Sequence, residues 1–188
     1  MARQVIVQSE TELLNVSKIL HFPLVQKIIG PLHKTDKEGV IVNVLSYEEL
    51  MKNYRDLMQI DGASGVLIQE MIKGKEVFIG AKRETAFPPL IMCGAGGIYI
   101  EALKDVQSIL APIHRAEAVS MINKLRIKPI LQGMRGESSC NLEAFYTTIE
   151  KVSNLMILAP EITELDLNPL ILTEQDIFAV DARIKIEK

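Results

Sequence analysis

Residues 164–172 read ELDLNPLIL, and the next apolar run, residues 177–186, reads IFAVDARIKI. In the first run Glu164, Asp166 and Asn168 alternate with leucines, so a strand here carries its polar side chains on one face. The second run predicts a following strand that holds Asp181 in Val180-Asp181-Ala182-Arg183. Three or four oxygen donors converging on a sheet surface form a donor set for a hard Mg²⁺ ion, with waters and nucleotide phosphates completing its shell. A solvated polar face is the alternative. Pro169, set directly after Asn168 in an apolar run, is out of place on an ordinary exposed strand.

Upstream of these strands, Asn141 caps a predicted helix that reaches Met156, and another helix is expected near His114–Leu125. Before them stands an apolar strand, Leu90-Ile91-Met92-Cys93, followed by the turn Gly94-Ala95-Gly96-Gly97. The N-terminal half has its own set of elements. Ser9-Glu-Thr-Glu12 and Ser46-Tyr-Glu-Glu49 each fit a capping box, predicting one helix through Leu20 and another to about Met58. Strands are expected over Leu24–Ile29, Val40–Val44, Val66–Met71 and Glu76–Ala81. Ala86-Phe87-Pro88-Pro89 is the best boundary. The pattern predicts two α+β lobes, residues 1–85 and 86–188, without the strict alternation of a doubly wound sheet.

The chain has 188 residues, enough for a core that needs no disulfide or metal staple. Its 21 basic and 24 acidic residues give a net charge of −3, without the cationic excess that would track nucleic acid. Cys93 and Cys140 are too far apart for a CxxC site and read as thiols in a reducing compartment. The N-terminal MARQVIVQSETE turns acidic before any signal-like apolar core, and no window suits a membrane span. A soluble, cytoplasmic chain is expected.

Gly94-Ala95-Gly96-Gly97-Ile98-Tyr99 fails the dinucleotide fingerprint, because Tyr99 stands where its last glycine belongs. No GK[ST] occurs, so a P-loop is excluded. The turn is either structural or an approach to an anion through backbone N–H groups. Lys27, inside an apolar strand, either snorkels from a half-exposed edge or meets an anion. His33-Lys34-Thr35-Asp36 is a polar loop that is either merely solvated or able to bind phosphate, and a histidine can accept a phosphoryl group.

Taken together, eight stretches resemble, in order, the ATP-grasp subunit or domain of the ADP-forming acyl-CoA synthetases, relatives of the succinyl-CoA synthetase β chain. They are FPLVQKI (22–28), HKTD (33–36), VLIQEM (66–71), MCGAGGIYIE (92–101), LKDV (103–106), LQGMRG (131–136), ELDLNPL (164–170) and VDARI (180–184). The resemblance implies an ATP-grasp fold whose two α+β lobes hold the nucleotide between them. It implies that Lys27 holds nucleotide phosphates, that Glu70 at the hinge faces the adenine and ribose, and that Asn168 and Asp181 ligate Mg²⁺. Arg83, Gly96 and Gly97 would line the phosphate end, and His33 would relay phosphate. The implied activity is that of an acid–thiol ligase: acyl-CoA, ADP and phosphate give acid, CoA and ATP through a phosphohistidine. Nothing in the chain resembles the family's CoA-binding component or its main phosphohistidine loop, so a partner subunit or domain is implied, and the isolated chain would not turn over acyl-CoA.

The departures are specific. The helical segment that usually precedes Ser9–Leu20 is missing, and the Lys27–His33 connection is short by about two residues, by the same resemblance. Glu38 replaces a usual glycine, and Ile109 stands where many relatives have arginine. Glu38 and Ile109 favour an alternative, a non-catalytic ATP-grasp-like regulatory or assembly module, as in acyltransferases fused to this architecture, whereas the intact Lys27, Asn168 and Asp181 oppose it.

Overall fold

The protein is described by a computed structural model covering residues 2–30, 39–97, 104–134 and 136–187. It divides into two compact units at Ile72/Lys73.

In the smaller unit, residues 2–72, β1 (Gln4–Val7), β2 (Leu24–Ile29), β3 (Val40–Val44) and β4 (Gly65–Glu70) form an antiparallel sheet ordered β1-β4-β2-β3. Helices α1 (Glu10–Leu13), α2 (Val16–Ile19) and α3 (Tyr47–Met58) supply its other layer. Ser46 Oγ accepts the Glu49 N–H at 3.2 Å and Glu49 accepts the Leu45 N–H at 2.7 Å, which fixes the start of α3. Leu50, Tyr54 and Leu57, spaced at helical intervals, then bury one face of α3 in a core with Leu24, Val66 and Ile68. The single helix expected through Leu20 is two short ones. The Asn15 N–H turns back to the Glu12 carbonyl, three residues away, which breaks the ladder before α2 begins.

The larger unit begins at Lys73. Its antiparallel sheet runs β10 (Arg183–Ile186), β8 (Ile162–Leu172), β5 (Lys75–Lys82), β6 (Leu90–Ala95), β7 (Val106–Leu110), and β9 (Ile177–Ala179) also pairs with β8. Helices α4 (Arg115–Asn123), α5 (Lys128–Leu131) and α6 (Leu142–Leu158) contribute to the core on one face. Phe145, Ile149, Val152 and Met156 of α6 pack there with Ile79, Ile91 and Leu165 of the sheet.

The boundary therefore differs from the expected 85/86. β5 pairs with β6 and β8, not with the first sheet, and Ala86–Pro89 belongs to the β5–β6 connection. Periodicity identifies a strand but not its sheet, and the division between the units falls at Ile72/Lys73. The short strands β1 and β7 and the single-turn α5 are additions to the elements read from sequence.

Candidate functional site

The outer face of the larger sheet is built by register. Met92, Gly80, Asp166 and Arg183 stand side by side on β6, β5, β8 and β10, and Leu90, Lys82, Glu164 and Lys185 form the next row. All of these residues except Leu90 line a groove of about 640 Å³, with Phe78 on its wall. Gly80 has no side chain to fill the space beside Met92, so the floor between the two rows stays low.

The two expected metal ligands do not line the groove; each lies two residues along the chain from a member of the Asp166–Arg183 pair. Leu170 pairs with Ala179 and Asp166 with Arg183, so the register between them puts Asp181 across from Asn168. The Val180 N–H reaches the Pro169 carbonyl at 3.4 Å, which closes this stretch against β8. On the β5 side, between the pairs Ile79–Leu167 and Val77–Leu170, the single residue Phe78 opposes two on β8, a bulge that contains Asn168 and Pro169. The bulge switches the buried parity from Leu165 to Leu170 and Leu172, and leaves Asn168 half-buried beside the groove. This is the structural reason for a proline in an apolar strand.

Asp166 joins this group electrostatically. Burial at the groove raises its pKa above the ordinary value, the Arg183 guanidinium opposes the rise, and the Asp181 carboxylate adds to it. Two carboxylates near enough to repel, with one amide beside them, suit a hard divalent cation that keeps waters or phosphate oxygens. Among the described residues no three His, Cys, Asp or Glu side chains form a metal-holding group. A protein donor set of this size fits an ion that shares its shell with a nucleotide, and does not fit a closed structural metal site.

Gly96 and Gly97 follow β6. The Gly96 N–H donates to the Glu76 carbonyl at 2.8 Å, and a Cβ on Gly96 would lie 2.8 Å from the β5 backbone. Gly97 has φ +58°, and a side chain there would fall on the Glu76 carboxylate. Gly96 is thus required by close packing on the β5 backbone and Gly97 by its left-handed φ, whatever else the turn binds. The Arg83 guanidinium is turned to the end of α6, where it donates to the carbonyls of Met156, Ala159 (3.4 Å) and Ile162 (3.1 Å). These are the orphan acceptors of a helix C-terminus and the residues after it. The structure does not group Arg83 with the glycine turn.

In the smaller unit, Lys27 lies on β2, an interior strand, opposite Leu67 of β4 and Val40 of β3. Gln26 and Leu24 face the helical core, so Lys27 faces the other side with Val25 and Ile29. That second face is apolar and open: Ile6 is 56% exposed and Val42 60%. A lysine on an interior strand amid this surface is not the edge-facing residue that sequence alone allowed. Glu70 does not join it. Glu70 pairs with Leu24 at the end of β4, and its Oε1 accepts from the His21 backbone N–H and lies 2.9 Å from His21 Nδ1, with Arg3 at 3.8 Å. Burial alone would raise the Glu70 pKa, but the two His21 hydrogen bonds and Arg3 outweigh it and hold the carboxyl below its ordinary range. His33 and Glu38 lie outside the described residues, and Ile109 packs half-buried against the larger core.

Sequence reasoning missed Lys82, Arg183, Gly80 and Met92 as groove residues and His21 as a partner of Glu70. A glycine inside the strand pattern Lys75–Lys82 was the one available signal for the groove.

Comparison with known proteins agrees with this layout. Residues 1–186 match the ATP-grasp domain family. The β subunit of ADP-forming acetate–CoA ligase I from Pyrococcus furiosus is 39% identical over 189 residues, covering 95% of this chain and 82% of the relative. ADP-forming acetate–CoA ligase I of Archaeoglobus fulgidus is 36% identical over 188 residues, but the chain spans only 27% of its length. The structure of Ca. Korarchaeum cryptofilum dinucleotide forming acetyl-coenzyme A synthetase 1, in complex with coenzyme A, Ca-AMPCP and HgCl⁺, superposes with a TM-score of 0.90 at 35% identity. The match covers all of this chain and 86% of that one. The chain belongs to the ATP-grasp domain family, among the homologues of ADP-forming acetate–CoA ligase β subunits.

Proposed function

We propose that the chain is the nucleotide-binding component of an ADP-forming acyl-CoA synthetase, acting with a CoA-binding subunit or domain. The observation that carries this reading is the groove-lining Asp166–Arg183 pair, followed along β8 by the stretch between the Asp166–Arg183 and Leu170–Ala179 pairs, which holds Asn168 on one side and Asp181 on the other. Asn168 and Asp181 would hold Mg²⁺, which supplies charge neutralisation to the phosphates when bound. Lys27 provides a compact cation on a flexible stem, suited to a phosphate that changes position during transfer. His33 is assigned the phosphoryl relay, in which its ring nitrogen takes the phosphoryl group from a partner phosphohistidine and passes it to ADP. The smaller unit's Glu70 contributes at the rim of its sheet, and the glycine turn keeps backbone N–H groups close to β5. No described helix is long and apolar enough to cross a membrane, and both cysteines are free thiols, which suits a cytoplasmic component.

Calorimetric titration of the chain with ADP tests this reading. Binding is expected with Mg²⁺ present and should weaken at least tenfold without it or in Asp181→Asn, the loss of roughly 1.4 kcal/mol or more. A folded chain that binds no ADP in the presence of Mg²⁺ would overturn it.

A further inference from the structure

One carboxylate oxygen of Glu70 is fully engaged and the other is not. The His21 N–H donates to Oε1 at 2.9 Å, the His21 ring Nδ1 meets the same oxygen at 2.9 Å, and Arg3 Nη1 stands 3.8 Å from it. None of these contacts uses Oε2. The Glu70 side chain is 21% exposed, while His21 and Arg3 are 83% and 61% exposed, so the cluster stands at the rim of its unit. The three residues come from separate segments: Arg3 precedes β1, His21 precedes β2 and Glu70 ends β4. The backbone is stitched at the same point, with Glu70 N–H donating to the Arg3 carbonyl and Met71 N–H to the Pro23 carbonyl, both at 2.9 Å.

We infer that His21 is a positioning residue for Glu70, holding Oε1 so that Oε2 is presented as an acceptor to a neutral hydrogen-bond donor of the nucleoside, either a ribose hydroxyl or a base amino group. An ionised carboxylate accepts only, so a carbonyl in place of that donor is repelled. A carboxylate on a freely rotating side chain would discriminate poorly, because ordering it on binding costs rotamer entropy. His21 and Arg3 have ordered it beforehand. The inference rests on the nucleotide-binding reading of the chain.

The test is calorimetric titration with Mg·ADP, Mg·IDP, which replaces the base amino group by a carbonyl, and Mg·2′,3′-dideoxy-ADP, which lacks both ribose hydroxyls. For the wild-type chain, one of the two analogues is expected to bind at least tenfold more weakly than ADP, and which one does so identifies the donor. In His21→Ala that ratio should fall towards one, whereas His21→Asn, whose amide can occupy the Nδ1 position, should restore most of it. His21 is exposed, so neither variant threatens folding, and a merely structural role for His21 would lower the affinity for all three nucleotides alike. An unchanged ratio in His21→Ala, or no discrimination by the wild type, overturns the inference while Mg·ADP binding persists. Absence of any Mg·ADP binding overturns the nucleotide reading itself.

Discussion

Glu70 and Asp166 are both carboxylates at strand positions, yet their surroundings move them in opposite directions. At Asp166, burial and Asp181 penalise the charge more than Arg183 relieves it. At Glu70, two hydrogen bonds from His21, with Arg3, overcome burial. A depressed carboxyl contributes stability that is present above its unfolded value, ordinarily 4.5, and lost as pH falls through the lower folded value. Glu70→Gln should therefore cost on the order of 1 kcal/mol at pH 7, since its donors are exposed. Chemical denaturation at several pH values checks this: the gap between the two proteins should close below pH 4.5, and a gap independent of pH would contradict the assignment. The partnership of His21 and Glu70 was not legible in the sequence, because the two are 49 residues apart and meet only through the β2–β4 pairing. The strand that carries Asn168 was legible from local alternation, but the single strand expected over Ile177–Ile186 is two, and Asp181 lies in the break between β9 and β10, which an apolar run does not reveal.

At the scale of elements, local patterns carried much of the fold. Strands β2 and β3 and helix α3 have the extents that periodicity and the Ser46 cap predict. What failed was anything decided by pairing. β5 reads as a strand but its sheet was misassigned, and β1, only four residues long, shows as a strand chiefly through its register with β4. Arg83 teaches the same lesson, since the family resemblance implied phosphate and its contacts are carbonyls at and just beyond the end of α6. Arg83→Met should leave those acceptors unpaired and cost about 1–3 kcal/mol, with a loss of several degrees in thermal denaturation. Full stability in Arg83→Met, accompanied by loss of ADP affinity, would instead return the residue to the nucleotide.

For the whole molecule, each unit has its own sheet and core, and the candidate residues are divided between them. Lys27 stands on the open face of the smaller sheet, and Asn168 with Asp181 beside the groove of the larger one. The chain spans 82% of a separate β subunit and 27% of a longer single-chain relative. In the proposed function the CoA chemistry belongs to a CoA-binding partner subunit or domain. The decisive measurement supplies that component together with acetyl-CoA, ADP, Mg²⁺ and ³²P-labelled phosphate, and follows the label. The account expects label in ATP with the wild-type chain and none with His33→Asn. A chain that binds Mg·ADP yet never passes label to it would contradict the catalytic assignment and leave a nucleotide-binding module without turnover.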